Sequence, residues 1–283
     1  MTGATDILRA LPLFAGCAAL ALAAHFAVPG GALVLVLLAG IVLGGMPHGG
    51  LDLYLARQRF PLHGAASHAA FLAAYLALAG AVVLLWLAAP TLSLLAFLAY
   101  SAWHFGGDWA DQPVARAAAG LSVLGLPALT DPATVALLFD ALAADGALAR
   151  DVLRAAGLGA LAVALAAFRA SPLRLATLGT LGALAWAMHP LAYFFAYFVG
   201  LHGPIHVARV ARRYRLDAGA LLSRWVGPAL AAGLAVAAAA LWIAPRIGWE
   251  AAALQAVFIG FAALTVPHML LVDSLAGRAA EQR

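Results

Sequence analysis

PLAYFFAYFVGLHGPIHV, residues 190–207, is the stretch on which the fold turns. It carries no formal charge, and an arginine-rich tail, ARVARRYR (208–215), follows at once. About 20 mainly apolar residues cross the hydrocarbon core as a helix, and basic residues at one flank mark the cytoplasmic side. The stretch therefore reads as a membrane span that delivers two histidines, His202 and His206, to its arginine-rich end.

The rest of the chain has the same character. Of 283 residues, 65% are hydrophobic and 10% charged, with a mean hydropathy of +0.98. Soluble domains carry about 25% charged and 45–50% apolar residues, so a water-soluble globule is excluded. Runs rich in Ala, Leu, Val and Gly without strict alternation argue against an outer-membrane barrel. The expected fold is an all-α integral membrane protein, a polytopic helical bundle forming one domain over 1–283. It should have about ten (8–10) transmembrane helices, near 8–28, 31–46, 66–88, 91–107, 114–130, 151–168, 173–188, 190–207, 225–244 and 251–272. The first run is long for a signal peptide and is read as a helix. Cys17, the single cysteine, is read as a packing residue, which removes cysteine-ligated zinc and iron–sulfur sites.

Charge tests the count. All 16 basic residues are arginines. With the N-terminus inside and ten crossings, thirteen fall in cytoplasmic segments and only Arg150, Arg154 and Arg246 outside. Losing one helix would invert every later loop. The chain is thus expected in the inner (plasma) membrane with both termini cytoplasmic.

That orientation sorts the nine histidines. His48 (GMPHGGLD), His104 (SAWHFGGD), His202 and His206 (LHGPIHVAR) and His268 (TVPHMLLVD) all fall at the cytoplasmic ends of separate spans. His25 and His189 fall at the outer ends, and His63 and His68 read as solvated loop residues. Ionisable side chains at membrane depth are costly and mark functional sites, so five histidines at one level read as a built site.

The i, i+4 spacing of His202 and His206 puts both imidazoles on one helix face, and Gly203-Pro204 loosens the turn between them. His48 and His104 each precede an aspartate by four residues, Asp52 and Asp108. In a helix each carboxylate would fix the tautomer of its own histidine from outside the coordination sphere. His268 has three open roles: ligand, supporting donor or pocket residue. Aromatics cluster beside these motifs, with Tyr193, Phe194, Phe195, Tyr197 and Phe198 before the pair and Tyr100 and Trp103 before His104. They would line a tunnel for a long conjugated hydrocarbon.

Neutral imidazoles without thiolate suit iron, copper, nickel or zinc, and open positions on such a site favour Fe(2+) with room for dioxygen. No histidine is followed by glutamate, against a zinc hydrolase of the H-E-x-x-H type. Glu250 and Glu281 are the only glutamates, too few for a di-iron carboxylate centre.

G-x-P-H-G-x-x-D (Gly45 to Asp52), W-H-F-G-x-D (Trp103 to Asp108), the H-x-x-x-H pair and the late P-H-M segment resemble the Brp/Blh family of membrane β-carotene 15,15′-dioxygenases. The resemblance spans 45–273. It implies Fe(2+) held by His48, His104, His202 and His206, with Asp52, Asp108, His268, Tyr197 and Trp103 in support or in the pocket. It also implies cleavage of the central double bond of β-carotene, or a close carotenoid, by O2 to give two retinal molecules. The implied partners are the carotenoid, O2 and membrane lipid, with a functional link to a retinal-binding rhodopsin and no nucleic acid. Gly203-Pro204 departs from the polar residue common after the first paired histidine.

Competing readings are a membrane hydroxylase or desaturase, and a histidine-lined metal or proton transporter. The former would bring about eight clustered histidines, and the latter a second rank of histidines across the bilayer. A Schiff-base rhodopsin is excluded, since the chain has no lysine.

Overall fold

Proline and short polar side chains punctuate the chain. Pro90, Pro113, Pro132, Pro172 and Pro190 each stand in the first turn of a helix, where the missing N–H costs nothing. Side chains of Gln112, Asp131, Asp145 and Asp217 accept from backbone N–H groups at helix starts. The resulting computed structural model describes the backbone of residues 2–45 and 49–281, and side chains over 4–45 and 49–275.

Every regular element among the described residues is helical. In order they are α1 (Thr2–Ala27), α2 (Gly30–Gly45), a 3-10 turn (Gly49–Leu51), α3 (Asp52–Arg59), α4 (Gly64–Ala88), α5 (Pro90–Gly106), α6 (Pro113–Thr130), α7 (Pro132–Asp140), α8 (Gly146–Ala167), α9 (Pro172–Ala187), α10 (Pro190–Tyr197), a π turn (Phe198–His202), α11 (Gly203–Tyr214), α12 (Ala218–Ile247) and α13 (Trp249–Glu281). The protein is an all-helical membrane protein.

Seven stretches among the described residues are long and apolar enough to cross a membrane. The expected segments 91–107, 151–168 and 173–188 do form helices but are not among them. α5 and α9 are short, at 17 and 16 residues. Every 18-residue stretch of α8 contains Arg150, Asp151 and Arg154.

The α10–π–α11 rod runs through the middle of the bundle, with 72% of its apolar window buried against 11% for α4 and 6% for α12. α1 and α2 pack on the rod, and α4 and α12 both lie on α13. On the other flank α6 packs between α5 and α8. Small residues allow these approaches, as expected where lipid removes the hydrophobic drive for helix association. A side chain at Gly106 or Gly120 would collide with the carbonyl of Arg116 or of Ala102 across the α5–α6 contact. Cys17 is buried and packs at Gly200 of the rod. Phe26, Leu87, Trp186 and Trp242 project outward from the bundle.

Candidate metal centre

His104 closes α5, His202 the π turn, His206 the first turn of α11, and His268 sits within α13. All four are at least nine-tenths buried. The His104 ring centroid lies 5.1 Å from that of His202, 5.7 Å from His268 and 6.2 Å from His206, and His206 and His268 are 5.2 Å apart. One ring nitrogen each from His104, His206 and His268 lies within 4.8 Å of the others. Nitrogens on one first-row ion stand at most about 4.2 Å apart, so the trio is close to shared coordination. His48 lies outside the described residues, with Met46 and Pro47.

The π turn follows from Gly203-Pro204. Pro204 has no N–H to return to Gly200, and its ring crowds that carbonyl. The Gly203 N–H reaches back to the Phe198 carbonyl instead, adding one residue to the turn. Such π-bulges concentrate at functional sites. His202 and His206 then flank the junction with ring centroids 6.5 Å apart.

Asp108 reaches a histidine other than the one four residues before it, and His48, the expected partner of Asp52, lies outside the described residues. α5 stops at Gly106, and the glycine turn carries Asp108 away from His104. Its Oδ2 lies 2.7 Å from Nδ1 of His202, across the bundle. Asp52, the first residue of α3, lies 2.6 Å from Nδ1 of His268. A carboxylate only accepts, so Nδ1 carries the proton in both histidines and Nε2 is left as the ligand atom. Gly106 and Gly107, which end α5 before Asp108, turn this carboxylate toward His202.

Four further residues complete these supports. Tyr75 donates to Asp52 Oδ2 at 2.6 Å. Arg209 donates to Asp108 Oδ1 at 3.0 Å and to Asp6 at 2.9 Å, and Arg212 also donates to Asp6. A charged ladder thus joins α1, the α5 turn and α11. Sequence reasoning missed Asp6 and Tyr75 and used Arg209 only as an orientation marker.

The other expected residues sort as follows. Trp103 is half-buried beneath the Arg116 guanidinium, 4.3 Å from its ring centroid. Tyr197 is fully buried between Phe105 and His202. Neither lines the two cavities described below. His68 accepts from Arg57 and bonds the Gly64 carbonyl at the surface. His189 caps α10 at the end away from the cluster, and burial pushes its imidazole below the usual value. Arg57, Arg116, Arg209, Arg212, Arg213 and Arg224 all have partners in segments at the histidine end.

A cavity of about 530 Å³ adjoins the centre. His268, Asp52 and Tyr75 stand in its wall with Gly49, Gly50 and Thr265, and the remainder is apolar, from Phe71 and Leu72 of α4 to Gly227 and Ala232 of α12. Buried imidazoles beside a large hydrocarbon-lined space can bind a metal and present it to an apolar substrate. Asp52→Asn opposes an amide N–H₂ to the His268 Nδ1–H or breaks the Tyr75 bond. It is expected to weaken metal binding by roughly 10–100-fold, read by metal titration of the purified protein. Unchanged affinity would remove Asp52 from the support of the centre.

Comparison with known proteins now bears on this geometry. No solved structure matches the chain. A β-carotene 15,15′-dioxygenase from an uncultured marine bacterium (66A03) is 32% identical over 263 residues, covering 83% of this chain and 91% of that protein. A family described as Beta-carotene 15,15'-dioxygenase matches residues 39–276, which hold every histidine of the cluster. The chain belongs to the β-carotene 15,15′-dioxygenase family.

Proposed function

We propose that the protein cleaves the central double bond of β-carotene, or a close carotenoid, with one O2 to give two molecules of retinal. The observation that carries this reading is the buried histidine cluster, one of whose members, His268, stands in the wall of a mainly apolar cavity of about 530 Å³. His48, His104, His202 and His206 are the ligands the family resemblance implies, and His268 joins His104 and His206 on the distances above. The donor set fits Fe(2+): neutral imidazoles, no thiolate, and Nδ1 protons held by Asp52 and Asp108. Bound iron(II) supplies the electron chemistry by which a spin-paired polyene reacts with dioxygen.

The chain's own residues do the positioning. Asp52 and Tyr75 hold the His268 ring at the cavity wall, and Asp108 with Arg209 holds His202. The apolar wall excludes water and aligns one double bond with the centre. A carotenoid dissolved in lipid enters between α4 and α12, which are the most lipid-exposed helices bordering the cavity. In the plasma membrane the arginine-rich histidine end faces the cytoplasm, and the product supplies a retinal-binding rhodopsin.

Expression in carotene-accumulating bacteria is expected to bleach the cells and yield retinal, with about one iron per purified chain. Unchanged pigment beside well-expressed protein would end the proposal. An active preparation free of iron would end the metal assignment alone.

A further inference from the structure

A second cavity, of about 130 Å³, is lined by α4, α5, α6, α7, α8, α10 and α13. Its lining is hydrocarbon apart from the Ser101 hydroxyl. Interiors rarely leave voids larger than a water molecule, and an apolar void of roughly 150 Å³ stays dry and takes up a benzene ring. This one is large enough for a six-membered carbon ring.

Its position gives it meaning. Phe261 lines both cavities. Phe194 faces the inner one and Phe198 the outer one, and the two rings stack at 5.1 Å, with Phe198 5.8 Å from Phe261. Phe194, Phe198 and Phe261 therefore stand where the two cavities meet, and a phenylalanine side chain moves between staggered χ1 wells. Phe105, which packs 4.5 Å from His202, also lines the inner cavity. On α13, Phe261 precedes His268 by seven residues, about 10 Å of helix. Leu254, in the inner wall, lies about 20 Å from the His268 level by the same rise.

We propose that the two cavities are the two arms of one carotenoid channel, joined past Phe261, with the inner arm holding one ring end group while the polyene crosses the histidines. The inference rests on the carotenoid-cleaving function proposed above. It makes the inner arm a depth gauge: where the leading ring stops determines which double bond meets the centre. A symmetric substrate with a ring at each end needs both arms, whereas a one-ring apocarotenal needs the inner arm only for its slender end.

Leu138 of α7 lines the inner cavity from a helix that carries none of the histidines, so Leu138→Trp narrows that arm against a ring, while leaving width for a bare polyene end, without touching the centre. With the full-length protein in lipid nanodiscs, kcat/KM for β-carotene is expected to fall about tenfold or more, while a one-ring apocarotenal stays within about threefold. Any residual carotene product should include unequal fragments from off-centre cleavage, and iron content should match wild type. Equal losses on both substrates, or unchanged central cleavage of β-carotene, would overturn the channel. If wild type cleaves no carotenoid, the proposed function fails instead, so the two failures are distinguishable.

Discussion

His206→Ala is expected to remove iron and activity together, and His104→Ala to do the same. Each takes one nitrogen from the trio that lies within 4.8 Å. Losing a supporting carboxylate costs roughly 10–100-fold in metal affinity, and losing a ligand should exceed that, leaving purified protein without stoichiometric iron and retinal formation below detection. A buried histidine also packs, with the His104 ring against His202 and Phe105, so folding must be read separately. Helical content and detergent-resistant monodispersity serve for that. His189→Ala is the control: this ring caps α10 far from the cluster, and its removal should spare both iron and turnover. Three equal losses would show that folding had been mistaken for ligation. Full iron with full activity in His206→Ala would dissolve the centre altogether.

The helices were legible because their punctuation is local. Expected starts at 91, 114, 173 and 190 fall within a residue of helices that begin at Pro90, Pro113, Pro172 and Pro190, since proline both ends the preceding segment and opens the next. Long apolar runs likewise exposed α4, α12 and α13. How many helices cross was less legible: arginine balance implied ten, yet α5, α8 and α9 are too short or too charged to stand as spans by length and composition. Short or polar helices are tolerable when neighbours cover them, a tertiary fact without a local signature.

The site divides along the same line. His104, His202, His206 and His268 were legible as a group because polar residues at one depth of an apolar bundle must find partners. Their mutual supports were not. The i+4 rule assigned Asp108 to His104 and Asp52 to His48, whereas the described carboxylate contacts run to His202 and His268, 94 and 216 residues away. Asp6 and Arg209 are 203 residues apart, and Tyr75 reads as one more aromatic in an apolar helix. The π turn had a trace in Gly203-Pro204, which foretold a loosened turn but not the extra residue in it.

Filling the outer cavity should separate metal from turnover in the opposite sense to the histidine variants. Gly227 of α12 lines that cavity, and a Cβ there meets nothing within 4 Å. Substitution therefore creates no backbone clash, and replacing a mid-helix glycine gains helix propensity. Gly227→Phe places a ring in the space through which the polyene would approach, and product formation should fall by about two orders of magnitude, roughly 2.7 kcal/mol in the barrier. Iron should remain near one per chain, since His104, His206 and His268 are untouched. A graded series is the sharper measurement. Gly227→Ala should be nearly silent, Gly227→Leu intermediate and Gly227→Phe severe, because the obstruction scales with side-chain volume. Paired with Ala232→Phe, about a turn and a half further along the same wall, the series reads the width of the substrate path. Wild-type turnover in both phenylalanine variants would mean that the carotenoid reaches the histidines by another route, and the large cavity would lose its role.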